Sequence, residues 1–159
     1  MINVFNSKRW IIGCLLVLTS SMAFASTVAD KVTVTEPVAR ETAPGQTNTA
    51  IYLTLNNADT KAHQLVNATS PAAKQIQLHR SLQEKDKVAM LRLNDVMLPA
   101  QANTKFMPNG LHIMLLGLNQ SIKAGEKISL TLIFEDGSYH TLDVVVQNMT
   151  QTMDHAEHS

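Results

Sequence analysis

Leu111-His112-Ile113-Met114-Leu115-Leu116 is the stretch whose reading decides the fold. Successive side chains of a strand point to opposite faces, so Leu111, Ile113 and Leu115 make one apolar face while His112 and Met114 share the other. From Lys31 onward the chain repeats this habit in short, β-branched, alternating runs, with no sustained helical period. Strands are expected over Lys31 to Val38, Thr49 to Asn56, Ala62 to Thr69, Gln75 to Leu82, Lys87 to Leu93, Leu111 to Leu116, Lys127 to Phe134 and Tyr139 to Val146. Turns are expected at Pro44-Gly45, Asn56-Asn57, Glu84 to Asp86, Pro108-Asn109-Gly110, Ala124-Gly125 and Asp136-Gly137. Many short strands without an intervening helix predict an all-β domain, an antiparallel sandwich or barrel, rather than an α/β sheet. No internal repeat and no linker divides it.

The same alternation orients two further residues. Ile76 and Leu78 take the core face of their strand and leave His79 on the other; Ala89, Leu91 and Leu93 are expected to do the same for Met90. A hairpin centred on Glu84 and Lys85 would place His79 directly opposite Met90, with Cβ atoms roughly 4.5 to 5.5 Å apart. A slip of one residue would turn one partner away.

His79, Met90, His112 and Met114 therefore form a candidate metal site. Neutral thioether sulfur with imidazole nitrogen is the donor set of soft Cu(I), whereas hard cations take oxygen and structural zinc usually takes thiolates. Each residue alone has a plain explanation, core filler for a methionine and a half-exposed polar group for a histidine. The shared facing of all four is what the plain explanation leaves out. His63 and His140 have no matching partner and are read as surface residues; Met97 and Met107 are read as core or rim packing.

The ends carry different information. Lys8 and Arg9, the apolar run from Trp10 to Leu18 and Ala23-Phe24-Ala25 read as a secretory leader over residues 1–25, cleaved before Ser26, with too few apolar residues for a spanning helix. Cys14, the only cysteine, lies in that leader. Ile11-Ile12-Gly13-Cys14 loosely resembles a lipoprotein processing site, but it follows Arg9 closely and most of the apolar run lies after it. A mature chain without cysteine has no disulfide, no thiol nucleophile and no dithiol redox pair. Export to an oxidising compartment fits, because thioethers cannot form disulfides. After the leader, 11 Lys and Arg stand against 13 Asp and Glu without a like-charge block, which gives no basis for nucleic acid or an anionic membrane surface as partner. No nucleophile elbow, phosphate loop or His-Glu-x-x-His arrangement is present, and Glu84, Asp86, Asp95, Glu135 and Asp136 fall in turn-like text where solvation is expected. No enzymatic activity is expected.

The His-x10-Met-x21-His-x-Met spacing resembles the signature of the periplasmic copper chaperones of the PCuAC family, without insertion or deletion. The resemblance extends over Glu36-Pro37-Val38-Ala39-Arg40, Ala50-Ile51-Tyr52-Leu53-Thr54-Leu55-Asn56, the text around Leu78-His79, and Leu111 to Leu115 followed by Gly117-Leu118. It implies a cupredoxin-like Greek-key β-barrel of about eight to ten strands over residues 26–147. It also implies Cu(I) held by His79, Met90, His112 and Met114 and delivered to a copper-accepting protein, a cytochrome c oxidase subunit or another copper chaperone, with no stable membrane association after cleavage. Pro108-Asn109-Gly110 departs from the Pro-Gly-Gly common in the family; asparagine tolerates the left-handed conformation, so little effect is expected.

Residues 148–159 form a Met- and His-rich tail without a core of its own, expected to be mobile. Met149 and Met153 suit Cu(I), and His155 and His158, with Asp154, suit Cu(II) as an auxiliary site; the alternative is a solvated end. Blue-copper electron transfer is excluded because it needs a cysteine thiolate. A copper-dependent oxidoreductase would want an open, imidazole-rich site, and two thioethers argue against it. Periplasmic copper sequestration is the nearer alternative to delivery.

Overall fold

Alternate residues of the central strands are buried, and that rule builds the domain. The computed structural model describes residues 26–84 and 87–148. They form ten strands and, among the described residues, no helix: β1 (Val32–Arg40), β2 (Asn48–Asn57), β3 (His63–Thr69), β4 (Ala73–Glu84), β5 (Lys87–Leu93), β6 (Val96–Leu98), β7 (Ala102–Phe106), β8 (Leu111–Leu118), β9 (Lys127–Phe134) and β10 (Tyr139–Gln147). Ile51, Leu53 and Leu55 of β2, Ile113 and Leu115 of β8, Leu130, Leu132 and Phe134 of β9, and Val144 and Val146 of β10 all point into one core. At roughly 1.5 to 3 kcal/mol for each large aliphatic or aromatic side chain buried, this face dominates the stability.

The ten strands form one sheet in the order β5-β4-β8-β7-β2-β1-β10-β9-β3-β6, with β8 also pairing β2. Its ladders are antiparallel except β1 with β10 and β7 with β8. The sheet rolls until β3 and β4 approach each other. Inside β1 the register shifts between Thr35 and Val38, where Glu36 has φ 54° and Pro37 lacks an N–H for the ladder. All eight expected strands are present. The two not expected, β6 and β7, are three and five residues long, and β7 is mostly polar text that earns its strand through the ladder to β2.

Three sequence readings need correction. The β4–β5 turn lies one residue further along than Glu84-Lys85: Glu84 pairs Lys87, so the closing loop is 85–86, which lies outside the described residues, and two-residue loops are the commonest hairpin connection. The expected core face of β5 reaches the core only at its last residue, the half-buried Leu93. Strand β5 pairs only with β4, Ala89 and Leu91 are exposed, and the hairpin beyond Leu78 extends past the core as an arm. Finally, His63 and His140 are held by distant partners. His140 Nε2 donates to the Val32 carbonyl at 2.6 Å and its ring meets Phe134 edge-on; Asp136 accepts from the Val28 N–H at 2.8 Å instead of standing free in solvent.

His63 is clamped between two carboxylates, Nε2 to Asp59 Oδ2 at 3.0 Å and Nδ1 to Glu135 Oε1 at 2.8 Å. Asp59, then burial opposing it, then Glu135 set its pKa, which is raised from 6.5. The pKa of Asp59 is lowered chiefly by His63, and that of Glu135 is lowered because the Gln64 N–H and His63 outweigh the opposing effect of burial. The raised His63 contributes stability below about pH 6.5 that is lost as pH rises through its folded pKa, and the lowered carboxylates contribute stability lost as pH falls through theirs. Denaturant titrations of wild type and His63→Ala are therefore expected to differ most between about pH 5 and 6.5 and to converge in alkali. A difference that grows above pH 8 would show that the clamp is not ionic.

Candidate metal centre

The four residues singled out in the sequence lie on the outward face of β5, β4 and β8. His79 and His112 are direct partners in the β4–β8 ladder, and their rings meet edge-on with centroids 5.7 Å apart. Met114, two residues on from His112, stands opposite Gln77 of β4 and Ala50 of β2. Met90 stands opposite Ser81, and His79 stands opposite Arg92, so Met90 is diagonal to His79 rather than directly across from it. Because the register differs from the expected one by two residues, the shared facing survives while the direct opposition does not. Diagonal neighbours are roughly 7–8 Å apart at Cα, within reach of a long, flexible methionine.

Burial grades across the group. His112 is only 4% exposed, His79 and Met114 are half-buried, and Met90, on the arm, is 60% exposed. Met90, His112 and Met114 line one open cavity of about 390 Å³ together with Ser81, Val88 and Asn109. His79 abuts it through His112. The strand text explains the grading: β8 has neighbours on both sides and is held inward by Ile113 and Leu115, both fully buried, whereas β5 is the sheet edge.

Each imidazole has one nitrogen bonded and one not. His79 Nε2 lies 2.8 Å from Gln77 Oε1, and His112 Nδ1 lies 3.0 Å from the Gly110 carbonyl. The other two nitrogens, His79 Nδ1 and His112 Nε2, are buried without a partner. Buried polar atoms are nearly always satisfied, so two such nitrogens on touching rings are the anomaly that marks this place. Burial first, then His112 and Arg92, lowers the His79 pKa from 6.5 and favours the neutral, coordinating ring. Among the described residues no group of three or more His, Cys, Asp and Glu side chains is placed to hold a metal ion, so an oxygen-rich hard-metal site is absent from them.

The loop before β8 sets His112. Asn109 has φ 61°, the left-handed conformation expected of it, and Gly110 donates to the Met107 carbonyl at 3.0 Å while its own carbonyl takes the Ser81 N–H and His112 Nδ1. A Cβ at Gly110 would stand 3.1 Å from Met107 Cγ. Neither Met97, on the opposite edge strand β6, nor Met107, on this loop, is in the core; both are exposed. Sequence reasoning missed Gln77 and Gly110, whose roles depend on register and backbone direction. Met149, Met153, His155 and His158 lie outside the described residues. The described chain ends at Asn148, which lines a second cavity with Arg40 and Gln46, and both of those also line the first.

A rolled ten-stranded β-domain with an outward His and Met cluster beside its edge hairpin defines the cupredoxin-like class expected from the sequence. Residues 32–146 match the family described as LpqE-like, and the chain belongs to that family, its β-domain being of the PCuAC type. It is 33% identical over 139 residues to "Putative lipoprotein Lxx21020" of Leifsonia xyli subsp. xyli, covering 87% of this chain and 82% of that protein. Among solved structures it resembles Cu(I)-DR1885 from Deinococcus radiodurans at TM-score 0.58 and 28% identity, over 72% of this chain and 78% of that one. The copper-bound PCuAC domain from PmoF2 shares the fold at TM-score 0.65 and 22% identity, over 74% of this chain and 93% of that one.

Proposed function

We propose that this chain is a copper chaperone that binds one Cu(I) through His79, Met90, His112 and Met114 and passes it to an acceptor protein. The observation that carries the reading is the pair of buried, unpartnered imidazole nitrogens on directly opposed strands, with Met90 and Met114 both diagonal to His79 and Met114 two residues from His112 on the same face. The names of two structural neighbours, a copper-bound PCuAC domain and a Cu(I)-bound protein, support the choice of metal. Copper is cargo here. All four donors are neutral, so each can leave without a proton to quench a thiolate, and handover can proceed one ligand at a time, beginning with Met90 on the exposed arm. Cytochrome c oxidase is the acceptor this reading favours.

Export is part of the proposal. The relative's name and the leader text both favour it, with maturation before Ser26 and a periplasmic location. The intact mass of the secreted protein separates this from lipidation at Cys14. The tail is proposed as an auxiliary site, with Met149 and Met153 for Cu(I) and His155 and His158 for Cu(II).

Anaerobic Cu(I) titration of the mature protein against a competing chelator tests the centre. One tight equivalent is expected, weakened by alanine at each of the four positions; indifference at two or more of them would break the assignment. Truncation after Gln147 is expected to leave this equivalent in place and to remove Cu(II) binding. Unchanged stoichiometry in both oxidation states would dispose of the tail site.

A further inference from the structure

His79 has two ring nitrogens, and the residue two places before it decides which is open to a metal. Gln77 shares the outward face of β4 with His79, and its Oε1 is 2.8 Å from His79 Nε2. An amide oxygen can only accept, so Nε2 holds the proton and donates it. In a neutral imidazole the lone pair then belongs to Nδ1, the nitrogen buried without a partner. His112 is arranged the opposite way. Its Nδ1 is 3.0 Å from the Gly110 carbonyl, also an acceptor only, which leaves the lone pair on the second unpartnered nitrogen, Nε2.

We infer that Gln77 is a positioning residue for the metal: its side-chain amide holds His79 in the tautomer that presents Nδ1, so copper is taken through Nδ1 of His79 and Nε2 of His112. The inference rests on the Cu(I) reading above and adds the donor atoms to it. The ladder gives Gln77 a second constraint, since it stands directly opposite Met114 and so between an imidazole and a thioether on the same face. Its amide oxygen is a hard donor, poorly matched to Cu(I), so it serves the ring rather than the ion. Hydrogen bonds to the far nitrogen of a ligating histidine fix the tautomer and ring orientation, and their loss typically costs 10- to 100-fold in metal affinity.

The tautomers are read directly from long-range ¹H–¹⁵N correlations of the imidazole rings in the metal-free protein at pH 8. The expected result is a protonated Nε2 with a bare Nδ1 in His79, and the reverse in His112. Gln77→Leu removes the acceptor and is expected to mix the His79 tautomers and weaken Cu(I) about 10- to 100-fold by chelator competition. Gln77→Glu keeps an acceptor and is expected to restore both. A proton on His79 Nδ1 in the wild type overturns the inference without any variant. So does a Gln77→Leu protein that keeps both tautomer and affinity. If the wild type bound no Cu(I), the function reading would fail while the tautomer result stood; Cu(I) bound by the quartet with indifference to Gln77 would remove this inference alone.

Discussion

Alanine in place of His112 is expected to lower Cu(I) affinity by about 10²–10³-fold, the largest loss at any one ligand. Apparent free energies of about 10–16 kcal/mol for four-ligand structural zinc sites, taken as the scale, give roughly 2.5–4 kcal/mol per donor, or about two to three decades. His112 should command a full share because nothing has to be ordered when it binds. Strand β8 is paired on both sides, the ring is buried, and the Gly110 carbonyl already orients it. Met90 begins from the other extreme, 60% exposed on an arm whose flanking residues are also exposed. Freezing a methionine costs roughly 1.5–2 kcal/mol of rotamer entropy, so Met90→Ala is expected to cost only about tenfold. Chelator competition under anaerobic conditions reads both, with a thermal melt of each metal-free variant to confirm the fold. A larger loss for Met90→Ala than for His112→Ala would place the metal on the arm and not over β8.

This contrast also shows what was legible in the chain. The period-two text of β8 identified both the core face, Ile113 and Leu115, and the outward face, His112 and Met114, because alternation is a property of the single strand. Facing across the hairpin survived for the same reason. The pairing of Met90 with Ser81 was not legible, since register depends on where a turn closes, and moving the turn by one residue displaces every partner by two. The exposure of β5 was hidden too. Ala89, Leu91 and Leu93 read as a core face, but only Leu93 meets the core, because how far such a face is covered depends on what lies beyond the edge of the sheet. Likewise, nothing near His63 in sequence announces Glu135, and nothing near Asn57 announces the Leu98 and Pro99 carbonyls that its side-chain amide holds at 3.0 and 3.1 Å.

Protonation of His79 is expected to loosen copper only below the range in which an exposed imidazole would take up its proton. A ligating histidine must be neutral, so affinity falls as pH drops through the folded pKa of His79 and then declines about tenfold per pH unit from that ligand alone. Burial, then His112 and Arg92, lowers this pKa from 6.5, which moves the onset to more acid pH. The two thioethers take up no proton and add no slope. The share of Cu(I) affinity that His79 supplies, isolated by chelator competition of wild type against His79→Ala across a pH series, is therefore expected to be flat from about pH 8 to 6.5 and to fall only below that. The metal-free fold follows the same sign: the unfolded chain takes up this proton first, so stability falls as pH drops from 6.5 through the folded value, opposite to the contribution of His63. Arg92 stands directly opposite His79, so Arg92→Gln should raise the His79 pKa and bring release to higher pH. A His79 share that already declined between pH 8 and 7, or an Arg92→Gln protein that held copper to lower pH than wild type, would contradict a buried, neutral His79 in the ligand set.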